Sequence, residues 1–234
     1  MRQQTVYKNG GISGSILKWI AIMTMTIDHV GAGILQYSSQ ISQNDLSNLY
    51  TLSRLIGRLA FPIFVFLIVQ GYQNTSNLEK YLTRLSIFAL ISEVPFDLMS
   101  SNQLYNMDHQ NIFFTLLIGV VGLAALERFE LKNKILSQIV TLIMMVGAAE
   151  LLNVDYGWYG VLFILGVGML RDQRIGQTIF GVAMGTAQLF VASVAFLPIW
   201  FYNGKRGKQN RWFFYLYYPA HLFIIYLTRQ FLIM

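Results

Sequence analysis

Asp28 and His29 are the residues of this chain best placed to do chemistry, because they lie inside an otherwise apolar segment, residues 16–35. A carboxylate and an imidazole are costly in such a segment unless they have partners or water, and in membrane-spanning helices they usually mark function. An imidazole titrates near neutral pH and can remove a proton from an amine or a hydroxyl. We therefore predict that His29 is a general base. The alternative is a histidine that only hydrogen-bonds a neighbouring helix.

Further ionisable residues lie in the apolar segments that follow. Arg54 and Arg58 are four residues apart, as are Glu93 and Asp97, so the members of each pair share one face of a helix. Counting 1.5 Å per residue from the inner helix ends places these groups at similar depth. We predict one polar site in the outer half of a membrane, built from Asp28, His29, Arg54, Arg58, Glu93, Asp97 and Asn111, with Asp155 and Tyr156 at its edge.

The two arginines allow two interpretations. In the first, Arg58 forms a buried ion pair with Glu93 or Asp97 and only neutralises charge inside the bundle. In the second, at least one arginine holds a substrate carboxylate or stabilises a developing oxyanion. Since adjacent helical residues point about 100° apart, Asp28 cannot orient His29. We expect Asp28 to meet Arg58, and Glu93 to be the acceptor for His29.

The other two histidines differ in context. His221 lies near the middle of the last apolar segment, and we include it among the candidate catalytic residues. Its structural alternative is a hydrogen bond to a backbone carbonyl that Pro219 leaves unpaired. His109 lies in a polar loop, and we assign it no role. No two histidines are three or four residues apart, so we predict no metal site.

The composition places these residues in a membrane protein. The chain has 234 residues, of which 55% are hydrophobic and only 12% charged, whereas soluble domains carry roughly 25% charged residues. It has no cysteine, which excludes disulfides and a cysteinyl intermediate. We predict a single all-α domain over residues 1–234, a polytopic membrane bundle of about nine transmembrane or partly re-entrant helices. The apolar segments are residues 16–35, 55–72, 81–98, 111–126, 135–149, 158–170, 173–187, 188–202 and 212–233.

The basic residues predict the orientation. With nine helices and a cytoplasmic N-terminus, only Arg54, Arg58 and Arg229 of the 17 basic residues fall on the outer side, in agreement with the positive-inside tendency. Joining residues 175–202 into one tilted helix would instead place the basic residues 205–211 outside. The placement of basic residues on the cytoplasmic side explains the net charge of +6 without a nucleic-acid partner, and we predict none.

Seven segments, in order along the chain, resemble the TraX family of membrane proteins. They are LKWIAIMTMTIDHVGA (17–32), RLIGRLAFPIFVFLIVQGYQNTSN (54–77), YLTRLSIFALISEVPFDL (81–98), NIFFTLLIGV (111–120), VDYGWYGVL (154–162), NGKRG (203–207) and FYLYYPAHL (214–222).

The resemblance implies an activity. The family takes its name from a conjugative-pilus system in which such a protein acetylates the N-terminal amine of pilin. It is also distantly similar to transmembrane acyltransferases of the acyltransferase-3 type, which pass acetyl groups from cytoplasmic acetyl-CoA to outer acceptors. Those enzymes use a membrane-embedded histidine, which would correspond to His29 here.

The expected function is therefore acetyl transfer at a bacterial plasma membrane, from acetyl-CoA to an amine or hydroxyl of an acceptor peptide or surface molecule. Direct transfer is favoured, and an acyl-histidine intermediate stays open. The alternatives are a non-enzymatic factor for pilus or surface-polymer assembly and a proton-coupled transporter. The co-substrate phosphates are expected near four basic residues on the cytoplasmic side: Lys205, Arg206, Arg171 and Arg174.

Overall fold

The computed structural model of the chain describes residues 10–38, 45–129, 133–187 and 190–233, and within these residues it is all-helical without β-strands. The helices in chain order are α1 (Gly14–Val30), α2 (Gln36–Ser38), α3 (Asp45–Gly57), α4 (Ala60–Asn74), α5 (Leu78–Ser101), α6 (Ile112–Arg128), α7 (Lys134–Leu151), α8 (Gly157–Met169), α9 (Arg174–Thr186), α10 (Phe196–Trp200) and α11 (Arg211–Ile233). A π-helical turn, Gly31–Leu35, follows α1, and a 3-10 helix, Val191–Ala195, precedes α10.

The helical bundle agrees with the predicted fold class, with differences in two places. In the described ranges, nine helices have 13 residues or more. The predicted segment 55–72 is the second part of a longer helical stretch, Ser47–Asn74, which a short turn interrupts between α3 and α4. Residues 175–202 do not form one tilted helix, because Phe190 has a φ of 64°, a left-handed conformation that an α-helix cannot contain. The eighth segment is consequently only a 3-10 helix followed by α10.

Apolar side chains cover much of the outer surface of the bundle. On α7, Ile135, Ile139 and Ile143 recur on one face and are 47–66% exposed, and Leu90 and Ile91 of α5 are also exposed. Two helical stretches, Ser47–Asn74 and Lys134–Leu151, are long and apolar enough to cross a membrane. A large apolar exterior is unusual in a soluble monomer. These features suggest a membrane protein, while the nine spans and the cytoplasmic N-terminus stay predictions.

Close contact between α1 and α3 depends on two glycines. A Cβ at Gly31 would overlap the side chain of Ser53, and a Cβ at Gly57 would overlap both the Cβ and the carboxyl group of Asp28. Small residues allow helices in membranes to approach this closely. The π-helical turn begins directly after this contact, and such turns often occur at functional sites. Gly57 thus determines how near α3 lies to the Asp28–His29 pair.

The loop before α11 closes the beginning of α1. The backbone N–H groups of Gly14 and Ser15 donate to the carbonyls of Lys205 and Arg206, both at 2.9 Å, and Ser15 Oγ donates to the carbonyl of Lys208 at 2.7 Å. These bonds pair N–H groups that the first turn of a helix leaves unpaired. The basic loop is therefore held against one end of the bundle.

We expect Gly57→Ala to lower the melting temperature of the detergent-purified protein, because the new methyl group must push α3 away from Asp28. The control is Gly147→Ala in α7, where a Cβ meets nothing within 4 Å. Alanine is the better helix former by about 1 kcal/mol, so the control should keep or raise the melting temperature. Equal effects of the two substitutions would contradict the close contact.

Candidate functional site

A cavity of about 1070 Å³ runs through the bundle beside α1, α4 and α5. Its volume is at the upper end of small-molecule sites, which are about 300–1,000 Å³. Six of the ten candidate catalytic residues line it: Asp28, His29, Arg54, Arg58, Asp155 and Tyr156. The other four do not line it and are buried: Glu93, Asp97, Asn111 and His221.

One end of the cavity is cationic. We call the group Lys18, Lys80, Arg84 and Arg206 the cationic end, since all four line the cavity near the start of α1 and α5. Lys18 Nζ donates to Gln209 Oε1 at 2.6 Å, and Arg206 is close enough to repel the Lys18 charge. Arg84 Nε is buried without a hydrogen-bond partner among the described atoms. Like charges held together in this way favour an anionic ligand.

The cationic end is far from the imidazole of His29. Both Lys18 and His29 belong to α1, and their separation of eleven positions along the helix corresponds to about 16 Å at 1.5 Å per residue. The cavity is lined along the whole of this distance, by residues that include Ile22 and Met25 of the same helix. One molecule can therefore reach from the cationic end to the imidazole only if it is long and narrow.

His29 is held by a second histidine. Its Nδ1 lies 2.7 Å from Nε2 of His221, and the two rings are nearly parallel, with centroids 5.0 Å apart and an angle of 14° between their planes. The Nδ1 of His221 lies 2.8 Å from the backbone carbonyl of Tyr217. His29 thus meets His221 and not the predicted Glu93. The structural alternative for His221 was a hydrogen bond to the carbonyl that Pro219 leaves unpaired. In a helix that carbonyl belongs to Tyr215, four residues before the proline. His221 does bond a backbone carbonyl, but it is that of Tyr217.

Asp28 pairs with Arg54, whose Nη1 lies 2.7 Å from Oδ2 of Asp28. The predicted partner was Arg58. Arg54, one helical turn earlier, forms the ion pair, and Arg58 also lies close enough to act electrostatically on the Asp28 carboxylate. Arg58 lies between the end of α3 and the start of α4 and also lines the cavity. Two guanidinium groups are therefore present at the level of His29, and the Asp28 carboxylate anchors that of Arg54.

The carboxylates of α5 pair with backbone and amide groups rather than with Arg58. Asn111 Nδ2 donates to the carbonyl of Ala89 at 2.8 Å and also contacts Glu93 Oε2. Oδ2 of Asp97 accepts from the backbone N–H of Asn106 at 2.8 Å. Oε1 of Glu93 and Oδ1 of Asp97 are buried and have no hydrogen-bond partner in the described part of the chain. The charged groups that act on these carboxylates are His109, for both, and Asp97, for Glu93, rather than the predicted Arg58.

His109 has a place in the site that the sequence did not indicate. It lines the cavity at the end opposite to the cationic end, with Nε2 3.5 Å from Oδ1 of Asp155. Backbone bonds join the two loops, from Asp155 N to Gln110 O at 2.8 Å and from Gln110 N to Asn153 O at 2.9 Å. The Asp155 carboxylate raises the pKa of His109 above its usual value, although partial burial opposes this effect. His109 is exposed, as predicted for this loop, and it also contributes to the lining of the cavity.

Tyr156 packs beside this end of the cavity. Its ring stacks on Phe61 with centroids 3.7 Å apart, and its backbone N–H donates to Asp155 Oδ1 at 3.0 Å. Thr115 Oγ1 contacts the carbonyl of Asp155. Asp155 is thus fixed in position by α6 and by the first turn of α8.

Of the four residues expected near the co-substrate phosphates, only Arg206 lines the cavity. Lys205 is exposed on the same loop, Arg171 contacts Glu127, and Arg174 lies over the ring of Trp200 at 5.1 Å. Lys18, Lys80 and Arg84, which do line the cavity, were counted only as topological charges in the sequence. These residues lie near the starts of α1 and α5, on the same side of the bundle as the basic loop, and this shared position could have indicated that they form one site.

Comparison with known proteins decides the family. The family model described as TraX protein matches residues 13–229. The chain belongs to the TraX family. A protein described as probable fimbrial assembly protein FimC, serogroup H1, from Dichelobacter nodosus is 31% identical over 255 residues, which cover 96% of this chain and 99% of that protein. No solved structure matches the chain. The family resemblance inferred from the seven segments is confirmed.

We expect His109 to titrate above the usual histidine pKa of about 6.5, and Asp155→Asn to lower its pKa. Because the pKa is raised in the folded state, the contribution to stability is complete below the unfolded pKa and is lost as the pH rises through the folded pKa. Histidine-selective NMR titration measures the pKa directly in a chain with three histidines. An unchanged pKa in Asp155→Asn would show that the two side chains do not interact.

Proposed function

We propose that this protein is a membrane-embedded acyltransferase that moves an acetyl group from acetyl-CoA to an amine or hydroxyl of an acceptor. The observation that carries the proposal is the single cavity that joins the cationic end to His29. The negatively charged phosphates of the acetyl donor fit the cationic end. His29, the proposed base, lies where the acetyl group of the same molecule would reach. TraX-family membership and the fimbrial assembly relative support a role in the assembly or modification of a pilus. A pilin-like N-terminal amine is accordingly the first acceptor to test.

The phosphates of acetyl-CoA would bind Lys18, Lys80, Arg84 and Arg206. Arginine and lysine side chains bind phosphate through charge-assisted hydrogen bonds. The uncharged arm of the co-substrate would then extend along α1 past Ile22 and Met25. This places the thioester near His29, about 16 Å away. The assignment replaces the earlier expectation for Lys205, Arg171 and Arg174, which do not line this cavity.

The acceptor would enter at the end lined by His109 and Asp155. As its nitrogen or oxygen bonds to the carbonyl carbon of the thioester, His29 takes the proton that the acceptor loses. The oxyanion then forms near the guanidinium groups of Arg54 and Arg58, which favour negative charge. When the carbon–sulfur bond breaks, the thiolate of coenzyme A leaves and can receive the proton from His29. Donor and acceptor arrive from opposite ends, which favours direct transfer over an acyl-histidine intermediate.

The membrane setting gives this arrangement a direction. The apolar exterior supports placing the bundle in a bacterial plasma membrane with several spans. With the N-terminus in the cytoplasm, as the basic residues predict, the start of α1 and the cationic end face the cytoplasm, where acetyl-CoA is found. His109 and Asp155 then face outward. The reaction would acetylate an outer acceptor without moving coenzyme A across the membrane.

A second candidate is a non-enzymatic assembly factor, because the printed name of the FimC relative describes assembly and no reaction. The two functions differ in their requirement for His29. An assembly factor needs the fold of the bundle, whereas an acyltransferase also needs the base.

We expect His29→Ala to reduce acetylation of the acceptor by at least about 100-fold, since general-base catalysis contributes about 10²- to 10⁴-fold. Secreted peptides and surface material from a deletion strain carrying each variant would be compared by mass spectrometry for loss of an acetyl group. Met23→Ala is the matched control, because Met23 lies on the same helix, is exposed and does not line the cavity. Pilus assembly that persists unchanged in His29→Ala, without any acetylation difference, would favour the assembly factor.

We expect Arg206→Gln to weaken binding of acetyl-CoA to the purified protein by about tenfold, from the loss of one charged contact. Lys205→Gln is the matched control, since it removes the same charge from the neighbouring position outside the cavity. Isothermal titration calorimetry at low salt measures both affinities. Equal weakening by the two substitutions would indicate a general charge effect and would contradict a phosphate site at the cationic end.

A further inference from the structure

His221 contacts the candidate base without reaching the cavity. It is buried on α11, and its ring lies nearly parallel to those of Tyr217 on the same helix and of His29 on α1, each with centroids 5.0 Å away. Both of its ring nitrogens have partners: Nδ1 the carbonyl of Tyr217, and Nε2 the Nδ1 of His29. His221 is consequently fixed in position and orientation.

These contacts determine where the protons are when both rings are neutral. The carbonyl of Tyr217 can only accept, so Nδ1 of His221 must carry its proton. Nε2 of His221 then has a lone pair and can only accept. Nδ1 of His29 must therefore donate to it, which leaves Nε2 of His29 unprotonated.

We propose that His221 is a positioning residue, which fixes His29 in the tautomer whose Nε2 is free to accept a proton. The tautomer itself follows from the contacts alone, whereas its value for catalysis rests on the proposed acyltransferase function. A base in the other tautomer would present an N–H to the acceptor and could not remove its proton. The arrangement resembles in logic a catalytic histidine oriented by a hydrogen-bond acceptor behind it.

His221 also offers a place for the positive charge that catalysis creates. When Nε2 of His29 gains a proton from the acceptor, its Nδ1–H bond to His221 becomes charge-assisted and stronger. The Nδ1 proton can pass to Nε2 of His221, which leaves His29 neutral and His221 cationic. In this transfer the Nδ1–H bond of His29 breaks and an Nε2–H bond of His221 forms. The Nδ1–H of His221 donates to the carbonyl of Tyr217 before and after the transfer.

The test is ¹⁵N NMR of the detergent-purified protein with labelled histidines. The chain has three histidines, and His109→Gln identifies the one that is neither His29 nor His221. At a pH at which both rings are neutral, we expect His29 to show a protonated Nδ1 and an unprotonated Nε2. In His221→Phe, which has no acceptor, His29 should change to the Nε2–H form or to a mixture. A protonated Nε2 of His29 in the unmodified protein, or an unchanged tautomer in His221→Phe, would overturn the proposal.

A conservative variant separates positioning from packing. Glutamine at position 221 can place a carbonyl oxygen near the former Nε2, so His221→Gln should keep the Nδ1–H tautomer of His29. We expect His221→Phe to lower acetyl transfer at least about 100-fold and His221→Gln to retain activity within about tenfold of the unmodified protein. Equal losses in both variants at an unchanged tautomer would contradict positioning. A third outcome separates the two proposals: neither the unmodified protein nor any variant transfers acetyl groups, but His29 keeps the Nδ1–H tautomer in His221→Gln and loses it in His221→Phe. This outcome would refute the proposed function and support the positioning of His29 by His221.

Discussion

The structure depends on one constraint: a polar group on an apolar helix must find its partner inside the bundle. Asp28 of α1 forms an ion pair with Arg54 of α3, and His29 of α1 is hydrogen-bonded to His221 of α11. Asn111, directly before α6, donates a hydrogen bond to Glu93 of α5. An unpaired charge or polar group in an apolar environment costs several kcal/mol. These contacts therefore fix the helices relative to one another, and the same helices surround the cavity.

The partnered groups also explain why the site can be reactive. Nδ1 of His29 is bonded to His221, and His29 also lines the cavity. The contact that fixes the imidazole therefore does not separate it from the space where a ligand fits. Arg54 is held by Asp28, which keeps a positive charge near the imidazole without leaving that charge unpaired. Electrostatic groups that are already in position stabilise a developing charge without reorganisation.

The sequence predicted the helical bundle and six candidate catalytic residues that line the cavity, but not the pairing among the polar groups. Asp28, His29, Arg54 and Arg58 could be selected because charged residues stand out in apolar segments. The sequence favours Arg58 over Arg54 as the partner of Asp28 because it treats the two arginines as members of one continuous helix, whereas a break between α3 and α4 falls at Arg58. Periodicity holds only within a continuous helix.

The contacts missed by the sequence are those made over long separations or by loops. His29 and His221 are 192 positions apart, and no pattern within one helix relates them. The positive-inside tendency assigns the basic loop to one side of the membrane but does not predict which of its residues line a cavity. Its carbonyls bond the first N–H groups of α1, and this contact brings Arg206 into the cavity while Lys205 stays outside.

The central claim is that one cavity carries a ligand from the cationic end to His29. The most direct measurement is a cryo-electron microscopy structure of the protein in lipid nanodiscs with a non-hydrolysable acetyl-CoA analogue. We expect the phosphates in contact with Arg84 and Arg206, and the acetyl carbonyl beside Nε2 of His29. An analogue bound outside the cavity, or one whose acetyl group lies away from His29, would contradict it.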